Sequence, residues 1–274
     1  MNFIDKIKKS QMLNNSLLCV GLDSDVRLIP SHLKLESNPL FKFNKNVIDC
    51  TSGAICSYKI NSAFYEACGQ EGIAQLKLTF DYIHAKHPEI PVILDAKRGD
   101  IGSSNEAYAD YAFKYLDADA ITLNPYLGKD ALRPFLDQKD KGCVIICKTS
   151  NPKSGEFQDL IVNNCPFYLL IAKSVNDYWN YNQNCCLVVG ATHPHDLRKI
   201  RRAVGDMFLL VPGIGNQGGD LRKTLQYGLT NSNGLIINAS RSIIFADPTK
   251  NFSITAGLEA SKLKDEINKI KNML

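Results

Sequence analysis

Short apolar runs alternate with longer amphipathic stretches eight times along this chain, and no other property restricts its fold so tightly. The runs cover residues 17–23, 55–61, 92–97, 120–125, 143–149, 185–191, 208–213 and 234–241. They are nearly continuous in Val, Ile and Leu, the pattern of strands covered on both faces and therefore parallel. Between them lie segments of helical length, such as 62–85 and 164–181, several opened by Ser, Asn or Asp. Eight strand-then-helix units in 274 residues predict a (β/α)8 TIM barrel rather than an open doubly wound sheet. No linker, low-complexity tract or internal repeat divides the chain, so a single domain over 1–274 is expected. Near the C-terminus, Leu263, Ile267, Ile270 and Leu274 recur at intervals of four, three and four, an apolar stripe that would close the outer ring of helices. The longest apparent loops, 24–45 and 150–163, both follow strands. They therefore belong to the face where barrel active sites are built, as candidate lids.

Composition narrows the function classes. Hydrophobic residues make up 45% of the chain and charged residues 22%, the balance of a soluble globular protein. No segment has the apolar length of a membrane span, and residues 1–16 lack the apolar core of a signal peptide, so a cytoplasmic protein is expected. The nine cysteines are odd in number and lack zinc-type spacing. Cys19, Cys143, Cys147, Cys185 and Cys186 sit inside apolar runs and read as buried thiols. The net charge of +4 is weak. The one dense basic group, Arg198, Lys199, Arg201 and Arg202, fits the solvated face of a helix and has no interleaved aromatics, which argues against nucleic-acid binding. A mild positive balance suits a small anionic substrate. His193, His195 and Asp196 are all ligand types, yet Thr192, Pro194 and Asp196 are residues that open a helix, so no metal site is expected there.

The chemistry concentrates where apolar runs end. Leu94-Asp95-Ala96-Lys97-Arg98-Gly99-Asp100-Ile101 follows the apolar segment 91–94 with a dense group of charges. On a strand, Asp95 and Lys97 share a face, opposite Ala96, and Asp100 falls just past the end. A structural ion pair needs one acid and one base; a second carboxylate adds repulsion, and that surplus points to function. Other strand ends converge on the same face: Asp23 after the first, Lys59 and Asn61 on the second, Thr149 and Ser150 after the fifth, Ser240 and Arg241 after the eighth. Each alone has a plain explanation as a turn cap, a snorkelling lysine or a loop start.

The seventh run leads into Pro212-Gly213-Ile214-Gly215-Asn216-Gln217-Gly218-Gly219, a formal match to the G-x-G-x-x-G dinucleotide fingerprint. That fingerprint belongs after the first strand of a Rossmann unit and needs an acid on the next strand, where this chain has Ile237, Asn238 and Ala239. A barrel reading fits better. Loops after strands seven and eight bind phosphate through backbone N–H groups and a helix N-terminus, and Arg241 adds a bidentate cation.

With these positions in place, the chain resembles the orotidine 5′-monophosphate decarboxylases over essentially its full length. The motifs Asp95-x-Lys97-x-x-Asp100-Ile101, Lys59 on the preceding strand, Pro212-Gly-Ile-Gly-Asn-Gln217-Gly and Ser240-Arg241 match the family's order and spacing. Lys148-Thr149-Ser150-Asn151-Pro152 with Phe157-Gln158 look like the subgroup found in some bacteria and in apicomplexan parasites.

The resemblance implies decarboxylation of orotidine 5′-monophosphate to uridine 5′-monophosphate, the last step of de novo pyrimidine nucleotide synthesis, without cofactor or metal. It implies a charged array of Lys59, Asp95, Lys97 and Asp100 at the reacting carbon, with Lys97 as proton donor. Arg241 and the glycines after strand seven, with Pro212, Gly213 and Gly215, would hold phosphate, and Gln217 would bridge phosphate and pyrimidine. Thr149 or Ser150 would read the base, and Asp23, Lys59 and Asn61 would contact the ribose. Asp100, Ile101 and Ser104 would come from the partner of an obligate homodimer. Many members carry Gly where this chain has Ser240, which bears on how closely the backbone approaches the phosphate. Two rivals stand beside this reading: a magnesium-dependent phosphosugar decarboxylase or aldolase with the same Asp-x-Lys-x-x-Asp pattern, and a nucleotide binder without catalysis.

Overall fold

In the computed structural model, which describes residues 1–214 and 218–274, all eight apolar runs form parallel strands, most of them shorter than the run, with the third extending one residue past its run and the fifth shifted one residue toward the N-terminus. They are β1 (Leu18–Gly21), β2 (Ser57–Asn61), β3 (Val92–Arg98), β4 (Ala120–Leu123), β5 (Gly142–Lys148), β6 (Cys185–Val189), β7 (Leu209–Pro212) and β8 (Leu235–Ala239). Each pairs with its sequence neighbours and β1 also pairs with β8, so the sheet closes into a (β/α)8 barrel. The interior is filled by Cys19, Cys56, Ile93, Ala120, Val144, Cys186, Phe208 and Ile236, all essentially without solvent contact. Phe3 and Ile7 of the helix Phe3–Leu13 pack into the same cluster and plug the N-terminal end. The opposite end is therefore the one that can open a cavity. All nine cysteines are free thiols, and burial raises the pKa of those in the strands. Among the described residues no helix is long and apolar enough to cross a membrane.

Several expectations for the connections need correction. Segment 62–85 is two helices, Ala63–Glu66 and Gly69–Lys86. Segment 164–181 starts as one strand of a small hairpin, Ile161–Val162 with Cys165–Pro166, before the helix Phe167–Ser174. The apparent loop 24–45 is cut short because Pro39 opens the helix Pro39–Thr51. The final helix, Phe252–Lys271, buries Phe252, Ala256, Ala260 and Ile267, whereas Leu274 lies beyond it and is exposed. Phe252 stacks on Phe43 of the helix Pro39–Thr51 with centroids 5.1 Å apart, and this contact closes the outer ring.

Arg201 departs most from expectation. It is buried, and its guanidinium donates to the carbonyls of Gly228, Gly205, Met207 and Gly234 at 2.5–2.9 Å. Burial lowers its pKa to about 10, so it stays charged at neutral pH. Four carbonyls replace the water it gave up, and it ties the helix Pro194–Val204 to the segments leading into β7 and β8. The expected helix opening at 192–196 is present, with Pro194 in the first turn and Asp196 Oδ1 accepting the Tyr168 hydroxyl at 2.8 Å.

Candidate active site

A cleft of about 450 Å³ opens at the C-terminal end of the barrel, a size suited to a nucleotide-sized ligand. One half of its wall comes from β1 to β4 and is charged. Lys59 Nζ lies 2.8 Å from Asp95 Oδ2 and 3.3 Å from Asp23 Oδ1, and Lys97 Nζ lies 2.7 Å from Asp95 Oδ1. The result is a chain of alternating sign, Asp23, Lys59, Asp95, Lys97. Burial alone would push the Lys59 ammonium down, but the carboxylates of Asp23 and Asp95 overcome it and the pKa ends well above its ordinary value. Burial likewise opposes the charge on Asp95, and Lys59 and Lys97 outweigh it, so that carboxyl lies well below the usual range. Both groups are locked in their charged forms.

Asp95 and Lys97 reach the cleft by a route that simple alternation does not describe. β3 advances from Leu94 to Arg98 while β4 advances only from Ile121 to Leu123, so β3 carries a bulge. Lys97 sits in it with φ +49°, a left-handed conformation costing about 1–2 kcal/mol in a non-glycine residue. Its N–H, released from the sheet ladder, donates to Thr122 Oγ1 at 2.9 Å, and that hydroxyl donates to Asp95 Oδ1 at 2.9 Å. Hydrogen bonds involving a charged group are worth about 1.5–3 kcal/mol each, enough to hold the strained residue. The Lys97 side chain is half exposed at the mouth of the cleft.

The other half of the wall comes from β5 to β8. Its floor is apolar, formed by Ile146, Val188 and Leu210. Its rim holds Pro212, Gly213, Ser240 and Arg241. Gly213 has φ +103° and its carbonyl accepts the Gly219 N–H at 3.1 Å. Arg241 begins the short turn of helix Arg241–Ile244 and is exposed, with no acidic partner among the described residues. Ser240 turns its hydroxyl back to donate to the Gly21 carbonyl at 2.9 Å, away from the space a ligand would use. Thr149 and Ser150 both line the cleft. Thr149 Oγ1 donates to Asn151 Oδ1 at 2.6 Å and accepts from Gln158 Nε2 at 2.8 Å. The loop 150–163 is anchored beneath by Lys148, which is fully buried, ion-paired to Asp159 and positioned over the Tyr168 ring at 5.3 Å.

Residues 16–252 match the model of the orotidine 5′-phosphate decarboxylase / HUMPS family. This chain belongs to that family. It is 45% identical to an orotidine 5′-phosphate decarboxylase of Cellvibrio japonicus (strain Ueda107), over 98% of each chain. The solved OMP decarboxylase of Leishmania donovani superposes with a TM-score of 0.85 at 38% identity, covering 99% of both chains. The UMP synthase of the same organism gives a TM-score of 0.87 at 39% identity, covering 99% of this chain but 57% of that longer one.

Of the sites expected from sequence, Asp23, Lys59, Asp95, Lys97, Thr149, Ser150, Pro212, Gly213, Ser240 and Arg241 line the one cleft. Gly215 and Gln217 lie outside the described residues. Asn61 is not in the wall: its Oδ1 accepts the Ala63 N–H at 3.2 Å and caps the turn after β2. Asp100, Ile101 and Ser104 also stay outside. Asp100 Oδ1 accepts the Ile101 N–H at 2.7 Å, while Ile101 is 66% exposed and Ser104 points to solvent. Within one chain, then, the charged array is completed by Asp23 rather than by Asp100. Thr122 and Asn238 line the cleft unannounced; the available signal was a polar side chain at an inward position of β4 or β8.

Proposed function

We infer that this chain converts orotidine 5′-monophosphate to uridine 5′-monophosphate and CO2, the last step of de novo pyrimidine nucleotide synthesis. The observation that carries the reading is the alternating series Asp23, Lys59, Asp95, Lys97 in one cleft whose rim holds Arg241, exposed and without an acidic partner among the described residues. The C6–carboxylate bond breaks and its electron pair stays on C6 as a carbanion with little resonance relief. A fixed ammonium beside C6 stabilises that charge and then gives it a proton. Lys97 takes this role; the neutral amine left behind regains its proton from solvent. Lys59 holds Asp95 ionised near the departing carboxylate and contacts the ribose with Asp23. Arg241 and the Pro212-Gly213 backbone hold the phosphate, joined by Gly215 and Gln217. Binding energy from that remote group organises the reacting end. Thr149 or Ser150, both in the cleft wall, reads the base.

Asp100, Ile101 and Ser104 act in the cleft of a second copy, which makes the enzyme a homodimer. The exposure of Ile101 and Ser104, and the absence of all three from the wall of the chain's own cleft, support this. Nine free thiols support the reducing cytoplasm as its location. The magnesium rival is disfavoured by Lys59, whose ammonium occupies the position between two carboxylates where a divalent cation would have to sit.

Ultraviolet absorbance of orotidine 5′-monophosphate mixed with the protein tests the activity: decay supports it, and an unchanged spectrum would leave a nucleotide binder. EDTA leaves the rate unchanged if the reading is right, and strong loss would favour the magnesium enzyme. Mixing inactive Asp100→Asn and Lys97→Ala chains restores activity, because hybrid dimers hold one intact site; no recovery would refute the shared site.

A further inference from the structure

We propose that Thr122 is a positioning residue for the proton donor, and that its hydroxyl sets where the Lys97 ammonium stands. The inference rests on the reading of Lys97 given above. Thr122 lies on β4 facing the cleft and is buried. The Lys97 backbone N–H can only donate, so the Thr122 oxygen must accept from it, and the single hydroxyl proton is left for Asp95 Oδ1. The orientation of the hydroxyl is thereby fixed with no freedom remaining. Asp95 Oδ1 in turn accepts from Lys97 Nζ at 2.7 Å. The hydroxyl thus bridges the backbone of the lysine and the carboxylate that holds its ammonium, closing a small ring of three contacts around one side chain.

This arrangement accounts for the bulge in β3. A regular strand would give the N–H of residue 97 to the neighbouring strand's backbone; here the register slips between Leu94 and Arg98, and a side chain takes the donor instead. Without the hydroxyl the left-handed backbone loses its partner and Asp95 loses one of its donors, so Lys97 gains alternative placements. A proton donor displaced by even about 1 Å costs rate rather than substrate binding.

The test compares Thr122→Val, which keeps shape but removes the hydroxyl, with Thr122→Ser, which keeps the hydroxyl. For the valine variant kcat falls about ten- to a hundredfold while KM and the affinity for uridine 5′-monophosphate stay within about twofold of the parent, and serine restores most of the rate. Retained product binding shows that the valine variant is folded. A valine variant with parental kcat, a change confined to KM, or a serine variant no faster than valine overturns the assignment. If valine does not fold, serine alone decides: a rate near the parent's supports the assignment, and a loss as large as about a hundredfold overturns it. Parental protein that leaves the substrate unchanged would instead defeat the decarboxylase reading itself, so the two failures are distinguishable.

Discussion

The two halves of the cleft wall solve opposite problems. In the β1–β4 half every charge has a partner within the chain: Asp23, Lys59, Asp95 and Lys97 neutralise one another in sequence. In the β5–β8 half the floor is apolar and the one cation, Arg241, has no acidic partner among the described residues. On the proposed reading, charges that must keep a fixed geometry are held by the protein, whereas the charge that would capture an anion is left for the ligand to satisfy. The contrast separates preorganisation from anchoring.

Substitutions in the two halves should differ in kind. Lys97→Ala gives the largest effect: loss of the proposed proton donor and of its ammonium lowers kcat by at least about ten-thousandfold, measured by single-turnover decay of orotidine 5′-monophosphate. An intact rate would break the assignment of the charged half. Arg241→Ala follows, with kcat/KM falling about a thousandfold through loss of a bidentate, charge-assisted contact. Added guanidinium should recover part of it, and the truncated nucleoside substrate should not distinguish the variant from its parent. If Arg241→Ala altered kcat alone, the anchoring role would be wrong.

Smaller effects sharpen the contrast. Asp159→Asn removes the counter-ion of buried Lys148 at the base of the loop 150–163. Because Asp159 is half exposed, the cost is discounted to about 1–2 kcal/mol, seen as a melting temperature lowered by several degrees. An unchanged melting temperature would mean that the loop does not depend on this pair. Asp95 predicts a pH signature. Its folded pKa is depressed, so the stability it contributes is fully present above the unfolded value near 3.9 and is lost as pH falls below it. In denaturant titrations the gap between parent and Asp95→Asn should stay constant above about pH 5 and narrow below about pH 4. A gap that closes at neutral pH would contradict the depressed pKa.

Much of this was legible in the order of residues because charged side chains are costly at the ends of apolar strands. Asp23, Lys59, Asp95, Lys97 and Arg241 stood out for that reason, and the closed barrel followed from eight runs with long crossovers. What could not be read depends on partners distant in sequence. Arg201 looked solvated beside Arg198, Lys199 and Arg202, yet four carbonyls from later segments bury it. Thr122 carries no signal within its own run, because it is the slip in β3 that brings the Lys97 N–H to it. Asn61 shared the expected face with Lys59, but a short-range cap claimed its side chain. Lys148, near the end of an apolar run, anchors the loop because Asp159 folds back to it.

Gly21 and Ser240 carry a further consequence for how this sequence can change. A methyl group added at Gly21 would lie 2.8 Å from Ser240 Cβ and 3.1 Å from its hydroxyl oxygen, closer than unbonded atoms tolerate. The two positions are therefore coupled in heredity: serine beside the arginine is permitted only while residue 21 has no side chain. Glycine at position 240 would remove the two closest contacts and leave Asn238 Oδ1, 3.3 Å from an added methyl, as the remaining neighbour at position 21, whereas a chain that filled position 21 first would have to cross an unfavourable intermediate.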